Sequence, residues 1–198
     1  DRGNHRVRRI ELDGTINTVV GDGVAGFGGD GGPAAAARLS SPSDVSIDPA
    51  GRILIADTGN HRVRVIDLDG RARTLIGTGA NGNSGDGGLA TAAAIAAPEF
   101  VHARPSGGAF ASAGSSSVRF VEATAGAPLV RAVSGLFHGT MCNPTGVGDE
   151  LWVGTYSGHL AAFYDVFDTD GLLTTTLMPY GGGSDFHLGF IEGGGVIT

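Results

Sequence analysis

The first 56 residues of this chain are repeated, with changes, in the next 56. Residues 1–8 read Asp-Arg-Gly-Asn-His-Arg-Val-Arg, and residues 57–64 read Asp-Thr-Gly-Asn-His-Arg-Val-Arg. Over the two copies, 1–56 and 57–112, nearly half of the aligned positions are identical without a gap. A period of this size predicts stacked supersecondary units that bury a core only between neighbours.

Each copy contains signals for four short strands separated by turn residues. Apolar and polar residues alternate in the better preserved copy, and Gly, Pro, Asp and Asn interrupt the runs. The 36 glycines suit tight turns and oppose a bundle of helices. The predicted strands are 44–48, 52–56, 61–67 and 73–76, and a more degenerate stretch adds 117–121, 151–155, 160–164, 172–177 and 186–191. The sequence therefore predicts an all-β chain of four-stranded antiparallel units.

Stacking such sheets radially produces a β-propeller, in which each sheet is one blade. The segments Pro42–Asp48, Gly51–Asp57 and Thr58–Arg64 resemble the NHL repeat, which builds β-propellers. The resemblance implies one propeller domain over 1–198, with clear repeats at 1–56 and 57–112 and degenerate blades over 113–198.

About four blades' worth of chain is expected. Strand signals open on the last two strands of one blade (about 5–20) and close on the first two of another (about 185–198), with three complete blades between. Because most relatives have six blades, we expect part of a six-bladed ring. A closed four-bladed ring is the alternative. The chain begins inside a repeat, so we also expect it to be a fragment or a processed product.

One face of the propeller is expected to carry two long inserts and the turns 1–4 and 57–60, which belong to the repeated motif Asp-x-Gly-Asn-His-Arg. The turn between the second and third strands of a blade leaves on the same face as the connection to the next blade. Those connections are the glycine-rich inserts 21–41 and 77–97, whose alanine runs, 34–37 and 92–94, are expected to form short helical turns. Loops on a rigid scaffold commonly carry binding residues. The candidate binding residues on this face are Phe27, Asp30, Asn60, His61 and Asp86.

A structural role for the same motif is the competing interpretation. Asp and Asn side chains bond nearby backbone groups in turns, and a motif present in every blade suits blade-to-blade contacts. We therefore expect His5, His61, Arg6 and Arg62 to tie one blade to the next. Arg62 and Arg64 are predicted to pair with acidic residues, with Asp44, Asp48 and Asp57 as candidates. Phe27 is either an exposed anchor or a local core under its own loop.

A catalytic metal site is the main functional alternative. Some propeller lyases and lactonases of similar fold hold a metal at the mouth of the channel. His102 and His187 fall on predicted innermost strands, and His138 is a loose third candidate, but no pair has the spacing of a zinc signature. Cys142 is interpreted as a buried or incidental thiol. We expect no catalytic residues, no metal and no other cofactor.

Charge and hydropathy argue against nucleic acid and the membrane interior as binding partners. The net charge is −7, all 13 cationic residues are Arg, and neither half of the chain has a basic excess. An RNA-binding NHL domain, the second alternative, needs a basic face and is disfavoured. No run of 18 apolar residues occurs, so no membrane insertion is expected. We favour a non-catalytic scaffold that binds another protein or an assembly through rim loops and propeller faces. A secreted or luminal location rests on the family resemblance alone.

Overall fold

The structure is a computed structural model that describes residues 1–105, 107–114 and 117–121 in full. Beyond residue 121 it describes only the backbone of seven strands. These strands are β10 (Val130–Ala132), β11 (Thr140–Val147), β12 (Glu150–Tyr156), β13 (Ala162–Phe167), β14 (Leu173–Leu177), β15 (Gly189–Ile191) and β16 (Gly195–Ile197).

The fully described part contains nine strands. They are β1 (Val7–Ile10), β2 (Ile16–Val20), β3 (Asp44–Ile47), β4 (Ile53–Asp57), β5 (Arg62–Ile66), β6 (Ala72–Ile76), β7 (Val101–Ala103), β8 (Ala109–Ser112) and β9 (Val118–Val121). The predicted strand positions are recovered, with ends that shift by one to three residues.

The described strands form five antiparallel sheets, which have two, four, four, four and two strands in chain order. Within each sheet the strands lie side by side in chain order, so every four-stranded sheet is an up-and-down unit. The first sheet is β1–β2, the second β3–β6, the third β7–β10, the fourth β11–β14 and the fifth β15–β16. This is the predicted succession of half a blade, three blades and half a blade, and the fold is an all-β propeller architecture.

Apolar side chains from both faces of the second sheet form the core. Leu54, Val63 and Val65 pack with Ile95 and other residues of the insert and third sheet. On the opposite face, Ile55 packs with residues of the first sheet and its insert, including Val20 and Leu39. Because successive residues of a strand point to opposite faces, β4 and β5 are buried on both sides. Each fully buried Leu, Ile or Val contributes roughly 1.5–3 kcal/mol relative to an exposed one.

The first strands of adjacent sheets are joined by side chains that bind backbone. The Asp44 carboxylate accepts the N–H of Val101 at 2.9 Å, and the Ser46 hydroxyl accepts the N–H of Ala103 at 3.0 Å. These bonds link β3 to β7 without a continuous backbone ladder. Asp44 is therefore occupied here and does not pair with Arg62 or Arg64 as predicted.

The alanine runs form 3₁₀ turns at Ala34–Ala36 and Ala90–Ala92. The first lies within the predicted range, and the second begins two residues before it. Among the described residues, no helix is long and apolar enough to cross a membrane.

Candidate binding rim

The rim is defined here as the face that carries the motif turn 57–61 and the inserts 21–41 and 77–97. Thr58–Asn60 form a 3₁₀ turn after β4, and His61 ends it with a left-handed φ of 52°. The Asn60 amide donates to the carbonyl of Gly26 at 2.7 Å, and the N–H of Gly59 donates to the carbonyl of Ser40 at 2.8 Å. Turn and insert therefore lie together on one face, as the strand order predicts.

Asp57 is the buried acid at the start of this turn. Its carboxylate accepts the N–H of Ser40 and the Asn60 amide, each at 2.7 Å. Burial raises the pKa of Asp57, while the Asn60 and Ser40 hydrogen bonds and the Arg64 charge act in the opposite direction. The Asp therefore organises the turn, which is a structural use of the motif.

Arg64, in the middle of β5, reaches across to the insert of the preceding repeat. Its fully buried guanidinium contacts Asp30 at 2.5 Å and Asp57 at 3.5 Å. It also donates to the carbonyls of Gly28 and Arg38, each at 3.2 Å. The predicted pairing of Arg64 with Asp57 is confirmed, and Asp30 is an additional partner. The insert is thereby fixed onto the second sheet.

The next repeat contains the same arrangement. Arg119 on β9 contacts Asp86 of the second insert at 2.8 Å and donates to the carbonyls of Ser84 and Ala94 at 3.2 and 3.3 Å. Asp30 and Asp86, both predicted as binding residues, thus neutralise a buried arginine of the following sheet. The recurrence of the Asp and the Arg at matching repeat positions was a signal in the sequence for this pairing.

Arg62 binds carbonyls instead of the predicted acids. Its guanidinium donates to the carbonyls of Gly77 and Thr78, each at 2.5 Å, and stacks 3.9 Å from the ring centre of Phe27. Asp48, another predicted partner, pairs with Arg52 at 2.6 Å. The prediction of acidic partners for Arg62 is wrong because β5 begins at Arg62, beside the carbonyls at the start of the second insert.

Phe27 is partly covered and partly exposed, so it has features of both a local core residue and an exposed anchor. One side of its ring is covered by Arg62 and Arg64, yet the side chain remains 46% exposed. Asn83 occupies the matching position in the second insert and bonds Ser117 and the carbonyl of Ala113. Both inserts therefore contact the next sheet at this position, the first through an aromatic ring and the second through hydrogen bonds.

The first insert also extends the second sheet at its outer edge. The N–H of Gly31 donates to the carbonyl of Ala72 at 2.7 Å, and the N–H of Ala72 donates to the carbonyl of Gly32 at 3.0 Å. The N–H of Ala34 adds a bond to Gly70 at 2.9 Å. The edge strand β6 is covered by these bonds, which satisfies backbone groups that would otherwise be open to another chain.

His5 and His61 confirm the expected blade-to-blade role. The N–H of Ser41 donates to Nδ1 of His5 at 3.1 Å, and the N–H of Ala97 donates to Nδ1 of His61 at 2.9 Å. Arg6 likewise donates to the carbonyl of Asp22 at 2.8 Å. Each contact joins the start of a third strand to a connection that leads to the next sheet.

Large apolar side chains remain exposed on both faces. On the rim, Val24 and Leu89 are about half exposed, as is Phe27. On the opposite face, Leu68 in the β5–β6 turn is 72% exposed. The rim therefore offers apolar surface on loops that hydrogen bonds and ion pairs hold in place.

The candidate metal ligands are only partly described. His102 lies on β7, where its ring is parallel to that of Phe100 at 6.4 Å between centres. His138, His187 and the side chain of Cys142 lie outside the described residues. Within the part of the chain whose side chains are described, no three His, Cys, Asp or Glu residues are grouped to hold a metal. The expectation of no metal stays a prediction.

Comparison with known proteins agrees with this architecture. The family model for the NHL repeat matches residues 39–66, which include β3, β4 and β5. Residues 39–66 are thus an NHL repeat within a β-propeller architecture. Among curated proteins it is similar to Protein SUPPRESSOR OF QUENCHING 1, chloroplastic, of Arabidopsis thaliana, with 36% identity over 70 residues, 35% of this chain and 6% of that protein. It is also similar to Teneurin-1 of Mus musculus, with 30% identity over 76 residues, 33% of this chain and 3% of that protein.

Solved propellers resemble this chain over most of its length. A virginiamycin B lyase from Staphylococcus aureus matches with a TM-score of 0.54 and 13% identity over 90% of this chain and 49% of its own. A gluconolactonase from Xanthomonas campestris matches with a TM-score of 0.52 and 16% identity over 92% of this chain and 71% of its own. The Cps50 (Swd1) propeller domain of Myceliophteria thermophila matches with a TM-score of 0.52 and 13% identity over 92% of this chain and 55% of its own. At these low identities, the structural matches show a shared fold alone.

Proposed function

We propose that this chain is a non-catalytic scaffold domain that binds another protein through the rim. The observation that carries this proposal is that the inserts are fixed in place while their apolar side chains stay exposed. Arg64 and Arg119 hold the inserts from beneath through Asp30 and Asp86. Loops with that degree of internal bonding are already ordered before a partner arrives.

Loops that are ordered before the partner binds give a higher affinity than flexible loops. A loop that must be ordered by its partner loses conformational entropy on association, whereas a fixed loop has lost it on folding. Phe27, with a half-exposed ring supported by two guanidinium groups, has the form of an aromatic anchor. Val24 lies three residues before it, and Leu89 presents apolar surface from the second insert.

The test compares substitutions on the two faces. Proteins captured by the wild-type chain from extracts of the cells that produce it are compared with those captured by Val24→Asp, Leu89→Asp and Leu68→Asp. We expect the two rim variants to lose a partner that the Leu68 variant keeps. With that partner purified, each rim substitution should weaken binding by about tenfold, or about 1.4 kcal/mol.

Unfolding midpoints measured in parallel show whether each variant is folded. We expect all three to fold, since Val24 and Leu89 are about half exposed and Leu68 is 72% exposed. Equal loss of binding in Leu68→Asp, or full binding by both rim variants, would contradict a rim site.

A propeller enzyme is the second candidate. His102 lies on the first strand of the third sheet, the strand position at which propeller channels are lined, and a gluconolactonase and a virginiamycin B lyase share the fold. Hydrolysis of a sugar lactone by the purified chain, abolished by His102→Ala, would favour this candidate over the scaffold.

A further inference from the structure

Four residues other than glycine have a positive φ in the fully described part of the chain. They are His5 at 54°, Ser41 at 48°, His61 at 52° and Ala97 at 29°. The left-handed region is unfavourable for side chains of L-residues, so each of these positions carries backbone strain. The same four residues form the two N–H to Nδ1 hydrogen bonds, Ser41 to His5 and Ala97 to His61. Each bond therefore joins two strained residues, and the arrangement occurs twice.

Both bonds cross from one sheet toward the next. His61 is the residue before β5 of the second sheet, and Ala97 lies at the end of the insert 77–97, before β7 of the third sheet. His5 and Ser41 have the matching positions between the first and second sheets. A change in either bond acts on the place where an insert enters the following blade.

The chemistry of these bonds depends on the charge of the imidazole. An Nδ1 atom that accepts an N–H has no proton of its own, so the ring is neutral and carries its proton on Nε2. In the imidazolium form both nitrogens carry hydrogen, and Nδ1–H then opposes the N–H of Ser41 or Ala97. Histidine is the side chain that ordinarily changes charge between pH 5 and 8. The two contacts can exist only while the rings are neutral.

We propose that His5–Ser41 and His61–Ala97 form an acid-sensitive latch that holds the ends of the two inserts. Protonation removes the acceptor that holds Ser41 or Ala97 in its left-handed conformation. The strained residue then relaxes to an extended or right-handed conformation, and the end of the insert loosens from the turn. The proposal concerns the fold and does not depend on the rim being a binding site.

Most acidic groups on the elements around each histidine already form ion pairs or hydrogen bonds with other residues. His61 is flanked by Asp57 and Arg62 on its own turn and strand, and Asp86 and Glu99 lie on the segment that carries Ala97. His5 is flanked by Asp1 and Arg6, and Asp22 and Asp44 lie on the segment around Ser41. Four of these acids form ion pairs with arginines, namely Asp57 with Arg64, Asp86 with Arg119, Asp1 with Arg8 and Asp22 with Arg38. Asp44 accepts the N–H of Val101. Bound in these ways, these five carboxylates do not replace the lost N–H to Nδ1 bonds.

Hydrogen exchange of the whole chain, followed by mass spectrometry of peptides covering 39–42 and 94–98, tests the latch. After correction for the intrinsic pH dependence of exchange, we expect protection of these peptides to fall about tenfold between pH 7.5 and pH 5.0. In the double variant His5→Asn, His61→Asn the fall should disappear. Asn tolerates the left-handed region, and its Oδ1 accepts an N–H at the place of Nδ1 without titrating in this range.

His102→Asn is the matched control, because this histidine is outside both latches, and its peptides at 39–42 and 94–98 should respond as in the wild type. A second measurement needs no substitution. In the wild-type NMR spectrum, the amide resonance of Ala97 should shift with the same midpoint pH as the ring resonances of His61. Constant protection in the wild type, an unchanged fall in the double Asn variant, or an Ala97 amide that does not follow His61 would each overturn the proposal.

Discussion

Replacing Arg64 by Met should show how much the buried charge stabilises the propeller. Met preserves much of the length and apolar stem of the arginine but removes the guanidinium. The substitution leaves the buried Asp57 carboxylate without its cation, and it removes the Arg64 hydrogen bonds to the carbonyls of Gly28 and Arg38. The Gly28 carbonyl keeps the N–H of Arg38 at 3.3 Å. The Arg64–Asp30 contact is lost at the same time.

The expected cost follows from the burial of each partner. Removing one member of a buried ion pair typically costs about 3–5 kcal/mol, since the remaining charge stays desolvated. The Asp30 side chain is 37% exposed, so solvent screens its share of the loss. Asp57 can also bind a proton, because burial already raises its pKa. We therefore expect a loss near the lower end, about 3 kcal/mol at pH 7, and a smaller loss at pH 5.

Urea unfolding of both proteins, with free energies extrapolated to water, measures this difference. Arg73→Met is the matched control, because Arg73 pairs with Asp67 at 2.5 Å but is 58% exposed. A surface pair of that kind should contribute about 0–1 kcal/mol. A cost for Arg64→Met that does not exceed the cost for Arg73→Met would refute the account of a buried arginine that fixes the insert.

Two further predictions concern the insert and the turn. Gly29→Ala should be more destabilising than Gly31→Ala: both glycines have positive φ, but a Cβ at Gly29 would lie 2.7 Å from the Cα of Ala37, whereas nothing lies within 4 Å at Gly31. Thermal unfolding of the two variants measures the difference. We expect Gly31→Ala to lose about 1 kcal/mol of stability from backbone strain alone, and Gly29→Ala to lose clearly more because of the added clash. Equal unfolding midpoints would contradict the packing of the insert. Asp57→Asn should change the pH dependence of stability. Since burial raises the folded pKa of Asp57 above 3.8, the stability contributed by its protonated form is present below pH 3.8 and is lost as the pH rises through the folded pKa. The free energy of unfolding of the wild type minus that of the variant should therefore decrease from pH 3.5 to pH 7, and an increase would mean that the Arg64 pair outweighs burial.

The strands and turns of this protein follow from local sequence. Alternation in Asp44–Ile47 and the apolar run in Ile53–Asp57 predict their strands within a residue, because side-chain direction in a strand depends only on position. The repeat then predicts four-stranded units and their order, since one such sheet cannot bury its own faces. The shared face of motif turn and inserts also follows, because it is a property of up-and-down connectivity.

The partners of the rim residues were decided by tertiary structure. Arg64 meets Asp30 across 34 residues of sequence, and Arg62 finds carbonyls and Phe27 where acids were predicted. An arginine accepts any anion, carbonyl or aromatic face within reach, so its type restricts the partner only weakly. The hydrogen bonding of Gly31 to the edge of β6 could not be predicted from the sequence either, since nearly every residue has the same backbone N–H and C=O groups. The sequence alone determined which segments become strands and turns, and only the packing of one blade on the next determined which groups those segments bind.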